Sequence, residues 1–167
     1  TINPLPSPTI NGNDVLCNGT ASNTLTVTPA FSSYLWSDGN NGASISNATA
    51  NNTNYAVTVT DGNGCQSATN VTVVVNNAVT TTITPATIGI CNGSSVAFDA
   101  GSGFDSYIWS NSGGSSQTAS YSNITTNTTY TVIVTATQNG VTCSGTANAS
   151  VTVNPNPNLT ATSSQTI

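Results

Sequence analysis

The chain states one order of phrases twice. Cys17-Asn-Gly returns 74 positions later (17 to 91) as Cys91-Asn-Gly, and "AFSSYLWS" (30–37) returns as "GFDSYIWS" (103–110). "NATANNTNYAVTVT" (47–60) is matched by "NITTNTTYTVIVT" (123–135), and Cys65 by Cys143. Asn3-Pro4 and Asn154-Pro155 punctuate the two ends of this double text. Self-similarity over about 75 residues means that each copy must bury its own apolar face as one small unit. The expected division is a first domain over 1–76, with 1–8 as an incoming linker, and a second over 77–154. Residues 155–167 then read as a linker and the start of a third repeat. The opening "TINPLP" resembles "TVNPNP" at 152–157, so it reads as the tail of a preceding repeat's last strand.

Within each copy the apolar residues alternate over short runs, as in Tyr55-Ala-Val-Thr-Val-Thr60, Asn70-Val-Thr-Val-Val-Val75 and Tyr130-Thr-Val-Ile-Val-Thr135. Period-2 alternation of β-branched residues is the pattern of half-buried strands, whereas Thr and Asn are poor helix formers. "DGNG" (61–64) and "QNG" (138–140) accept the positive φ of tight turns and mark a hairpin late in each copy. Leu25 and Val27, or Val96 and Phe98, share a face on an earlier strand. The expected fold is all-β: two tandem immunoglobulin-like β-sandwiches of about seven short strands each.

Composition removes most chemistry. The chain has no Lys, Arg or His, and its only formal charges are five acidic residues, Asp14, Asp38, Asp61, Asp99 and Asp105. Nucleic-acid binding draws its affinity from cations that displace counterions, so it is excluded. Triads built on His, Schiff-base lysines, arginine clamps and His-ligated metals are excluded with it. No apolar run approaches the ~18 residues that cross a bilayer. No catalytic residue, metal site or cofactor is expected. Asp38 lies in a loop and Asp61 in a hairpin without acidic neighbours, so turn chemistry accounts for both better than calcium does.

Trp36 and Trp109 read as core residues of a central strand, with Tyr34 and Tyr107 two positions earlier on the same face. Tyr55 and Tyr130 are assigned to the core as well. Tyr121 has no counterpart in the first copy and is the candidate for an exposed contact. The four cysteines contain no CxxC, and nothing cationic is present to activate a thiolate, so structural disulfides and an oxidising, extracellular setting are expected. Pairing within each copy, Cys17–Cys65 and Cys91–Cys143, is the leading expectation. Each link would close about 50 residues and stabilise by roughly 4 kcal/mol in the loop-entropy model. The alternative is Cys17–Cys143 across the junction, since in a standard sandwich the turn before the second strand and the last hairpin lie at opposite poles.

"ICNGSSVAFDA", "YIWS", "NITTNTTYTVIVT" and "CSGTANASVTVNPNP" follow one another in the second copy. In that order they resemble the Ig-like and PKD-like tandem repeats of large secreted cell-surface, adhesin-type proteins of Bacteroidota. The resemblance covers essentially the whole chain. It implies a structural repeat segment of a long extracellular surface protein: a stalk, an adhesin shaft or a surface filament, without catalysis. Its partners would be neighbouring repeats of the same chain, with self-association into a filament as a variant. The absence of Lys and Arg also leaves trypsin no cleavage site. The alternative reading is a carbohydrate-binding or targeting module attached to a secreted hydrolase.

Overall fold

The computed structural model describes residues 2–46, 49 and 52–158. The chain divides into two compact units, Thr1–Ala78 with Thr137–Cys143, and Val79–Ala136 with Ser144–Ile167. This departs from a cut at 76/77. The last hairpin of the second copy is long, and its tip, Thr137–Cys143, belongs to the first unit by its contacts. Most of the expected third-repeat start, 159–167, lies outside the described residues.

Among the described residues, the first part of unit 1 (up to Ala78) holds seven strands: β1 (Thr9–Asn11), β2 (Val15–Leu16), β3 (Leu25–Thr28), β4 (Ser33–Trp36), β5 (Ser44–Ile45), β6 (Thr53–Thr60) and β7 (Gln66–Val75). They form two sheets, in the orders β1-β3-β5 and β2-β7-β6-β4. All neighbours are antiparallel except β2, which runs parallel to β7 with Leu16 opposite Val75. The period-2 pattern sends Leu25, Val27 and Ile45 of one sheet against Leu16, Trp36, Val57, Val59 and Val73 of the other, and these eight side chains make one core. This two-sheet order is an Ig-like β-sandwich.

Unit 2 repeats the plan with β8 (Thr87–Cys91), β9 (Ser94–Asp99), β10 (Ser106–Trp109), β11 (Thr118–Ile124), β12 (Thr128–Gln138) and β13 (Val141–Asn154). The sheet orders are β10-β12-β13-β8 and β11-β9, and again the first strand of the larger sheet, β8, runs parallel to the last. The counterpart of β1 shrinks to a single bridge between Thr84 and Asp99. Val96, Phe98, Ala119 and Ile124 pack against Trp109, Tyr130, Val132, Val134, Ala149 and Val151. Asn139 and Gly140 turn the last hairpin, both at positive φ (49° and 78°). Two such residues in a row make the tight turn whose twist suits paired strands.

Candidate functional site

The parallel pairing of the short early strand with the last strand decides where the cysteines go. In unit 1, Asn76 N–H donates to the Leu16 carbonyl at 2.7 Å, so Cys17 emerges beside the far end of β7. Cys65 sits immediately before that strand, in the turn where Asp61 N–H donates to its carbonyl at 3.0 Å. The whole of β7, Gln66–Val75, lies between them. At about 3.3 Å per residue that is roughly 30 Å, against the roughly 4.4–6.8 Å between Cα atoms that a disulfide allows. Cys91 is likewise opposite Asn154 at the end of β13, while Cys143 lies near its start.

Pairing within each copy, the leading expectation, is therefore corrected. Cys17 is bonded to Cys143, with Cα atoms 5.5 Å apart and 126 positions between them in sequence. Cys65, half-buried, and Cys91, exposed, are free thiols. The period-2 signal locates the strands, but it says nothing about whether β2 pairs parallel or antiparallel, and that choice sets which pole Cys17 occupies.

A polar cluster that sequence reasoning missed surrounds this bond within unit 1. Asn76 is only 3% exposed. Its amide N–H donates to the Gln138 carbonyl at 2.7 Å, and its amide oxygen accepts from Asn139 Nδ2 at 2.8 Å. Asn77 N–H donates to Gln138 Oε1 at 3.1 Å. A buried amide is tolerated only when it is bonded in this way. The available signal was hairpin length: Tyr130 to Cys143 spans three residues more than Tyr55 to Cys65, and those extra residues carry the tip.

The aromatic residues serve the two cores. Trp36 and Trp109 are 2% and 4% exposed. Their indole N–H groups donate to the carbonyls of Gly42 and Ser116, each at 2.9 Å. Tyr130 is buried, while Tyr34, Tyr55 and Tyr107 are half-buried and pack against the core edges. The Tyr34 hydroxyl accepts from Phe31 N–H at 2.8 Å, and the Tyr107 hydroxyl donates to the Gly101 carbonyl at 2.9 Å. Asp38 and Asp61 each accept backbone N–H groups of their own turns, from Asn40 and from Asn63 and Cys65. Among the described residues no group of three or more His, Cys, Asp or Glu is placed to hold a metal ion.

Tyr121, the candidate for an exposed contact, is half-buried instead. Its ring lies 4.1 Å from that of Tyr130 and 6.1 Å from that of Phe98, and its hydroxyl donates to the Ser110 carbonyl at 2.8 Å. Gly113 makes room for it: a Cβ there would overlap the Tyr121 hydroxyl and stand 2.7 Å from the Trp109 Cβ. The Tyr121 side chain also lines an open depression of about 420 Å³ in unit 2, with Asn111, Ser120, Ser122, Asn123 and Thr128.

Burial, and behind it the neighbouring Tyr130, hold the Tyr121 phenol pKa above its ordinary value. A group whose folded pKa is raised stabilises fully below its unfolded pKa, about 10 for tyrosine, and loses that contribution as pH rises beyond it. Tyr121→Phe should cost about 1 kcal/mol at pH 7 through the lost hydrogen bond. The gap between wild type and variant should close as pH passes about 10. Urea unfolding from pH 8 to pH 11 checks this, and a gap independent of pH would contradict it.

No family model and no curated protein matches the chain. Among solved structures it is similar to the three N-terminal domains of the bacteriophage RB49 Highly Immunogenic Outer Capsid protein (Hoc). The identity is 20% and the TM-score 0.46, over 88% of this chain and 59% of that one. It is also similar to the N-terminal four Ig domains of Dscam1 isoform 6.9, at 14% identity and a TM-score of 0.38, over 88% of this chain and 46% of that one. The chain thus spans about half the length of these solved chains. Its Ig-like architecture is established by the strand order and registers described above.

Proposed function

We propose that the chain is a structural repeat segment of a long extracellular surface protein, built of tandem Ig-like sandwiches and without catalysis: a stalk, adhesin shaft or surface filament. The observation that carries this reading is the Cys17–Cys143 bond within unit 1, which joins residues 126 positions apart in sequence. Such a bond persists in oxidising surroundings outside the cytosol. The buried tryptophans and the carboxylates engaged in their own turns support the non-catalytic part. The ordered phrases around Cys91, Trp109 and Cys143 support a place among the tandem repeats of secreted surface proteins of Bacteroidota. Antibodies raised against the chain should label intact, unpermeabilised cells of the source organism. Label that appears only after permeabilisation would overturn the reading.

One observation favours a second reading, a carbohydrate-binding module. The depression beside Tyr121 is lined by hydroxyl and amide side chains and has an aromatic ring in its wall. The two tryptophans, the strongest stacking platforms in the chain, are buried and unavailable to it. Affinity electrophoresis through gels containing cellulose, xylan, chitin or alginate derivatives decides between the readings. Unchanged mobility is the expected result for a shaft. Retardation by one polysaccharide, lost in Tyr121→Ala, would establish the second reading.

A further inference from the structure

The two free thiols occupy the same places in their repeats as the two bonded ones. Leu16 stands opposite Val75 in the parallel pair of unit 1, and Ile90 stands opposite Val153 in the parallel pair of unit 2. Cys17 and Cys91 are the next residue in each case, and each leads into an Asn-Gly turn whose glycine has nearly the same φ, 81° at Gly19 and 83° at Gly93. At the other pole, Cys65 lies eleven positions before Asn76 and Cys143 eleven before Asn154 (65 to 76, 143 to 154). Each of those asparagines directly follows or ends the last strand. One member of each equivalent pair, Cys17 and Cys143, is already joined. The remaining members, Cys91 at the first kind of position and Cys65 at the second, are unbonded, and Cys91 is exposed.

We propose that Cys91 is the docking point for Cys65 of another copy of this chain, so that copies join head to tail through the same kind of bond that links Cys17 to Cys143. The bonded pair shows that a cysteine at the Cys91 position and one at the Cys65 position can come within disulfide distance when they belong to successive repeats. Pairing Cys91 with Cys65 continues that rule by one step. Like-with-like bonds, Cys91–Cys91 or Cys65–Cys65, do not follow it. The hairpin carrying Cys65 is the shorter by three residues, so it enters the joint without the polar tip that Gln138 and Asn139 supply in the bonded case.

The bond needs an oxidant, and a low-molecular-weight disulfide such as oxidised glutathione supplies it by exchange. The Cys91 thiolate attacks one glutathione sulfur, forms a mixed disulfide and expels one glutathione thiolate. The Cys65 thiolate of the second copy then attacks the Cys91 sulfur, forms the Cys91–Cys65 bond and expels the second glutathione thiolate. Two cysteine thiols are oxidised, one glutathione disulfide is reduced to two thiols, and the two cysteine protons end on those thiols. The proposal rests on the tandem-repeat reading only in treating the four cysteine positions as two equivalent pairs. Its failure would leave the surface location, tested by cell labelling, untouched.

The test uses the chain with Cys17–Cys143 intact, incubated with oxidised glutathione and resolved by non-reducing electrophoresis and intact mass. Wild type should give a ladder of multimers that collapses on reduction. Cys65→Ser and Cys91→Ser should each remain monomeric alone, whereas their 1:1 mixture should give a dimer and nothing larger. Circular dichroism of each variant confirms that it is folded. The proposal is overturned by the absence of multimers, or by single variants that dimerise alone as fully as the mixture does. Loss of both thiols at monomer mass, meaning a Cys65–Cys91 bond inside one chain, would overturn it as well.

Discussion

Trp109→Ala is expected to unfold unit 2 or bring it close to unfolding at room temperature. The Trp109 ring is 4% exposed, lies nearly parallel to Phe98 at 6.3 Å between centroids, and holds the loop carbonyl of Ser116 through its indole N–H. Its removal leaves a cavity between the sheets together with an unpaired carbonyl. Truncations of this size cost about 3–5 kcal/mol, against total stabilities of about 5–15 kcal/mol, and a small sandwich sits near the lower end. Urea unfolding followed by far-UV circular dichroism measures the loss. In this variant Trp36 is the only tryptophan, so its fluorescence reports unit 1 alone. Unit 1 should keep its transition while the dichroism signal of unit 2 is lost early. Trp109→Phe, which retains a ring against Phe98, should lose less. An unchanged midpoint in Trp109→Ala would contradict the core placement.

Breaking the Cys17–Cys143 bond has the next largest expected effect, and it shows in both stability and mechanics. A loop of 126 positions is worth roughly 5 kcal/mol in the loop-entropy model, so Cys17→Ser, Cys143→Ser and the double variant should all lose a similar amount. The double variant should be no worse than either single one, because one bond is removed in each case. Cys65→Ser should leave stability close to wild type, whereas a loss matching that of Cys17→Ser would restore pairing within the repeat. Under tension between the chain ends, the oxidised protein should not release the residues behind the bond. Adding a reductant should lengthen the fully unfolded chain by roughly 450 Å, from 126 bypassed positions at about 3.6 Å each. Equal extension with and without reductant would show that the bond does not carry the load.

Much of this was legible without coordinates. Tyr55–Thr60 and Tyr130–Thr135 alternate because one side of each strand faces a core and the other faces water, and both lie within strands of the expected kind. Asn139-Gly140 names its own turn, since adjacent positive φ values suit little else. The two tryptophans were readable for a similar reason: a small sandwich has few places for so large a ring, and both copies put it on the same strand. Tyr121 was harder. Having no counterpart in the other copy suggested a surface role, but its ring covers Tyr130 and Phe98 in a core that has lost its own β1. A partner for Tyr130 from a neighbouring strand is a cross-sheet fact, which no local pattern records.

The sequence by itself determined the repeat, the all-β character, the exclusion of cation-dependent chemistry, and the presence of cysteines at matched positions in two copies. These follow from residue type and period, which act over a few neighbours. Only the tertiary structure decided which cysteines meet. That outcome depends on β2 lying parallel to β7, which carries Cys17 the length of a strand away from Cys65 and leaves it within bonding distance of Cys143. Disulfide formation demands approach within a few ångströms, so pairing is set by the path of the backbone through space, and spacing along the chain carries almost none of that information.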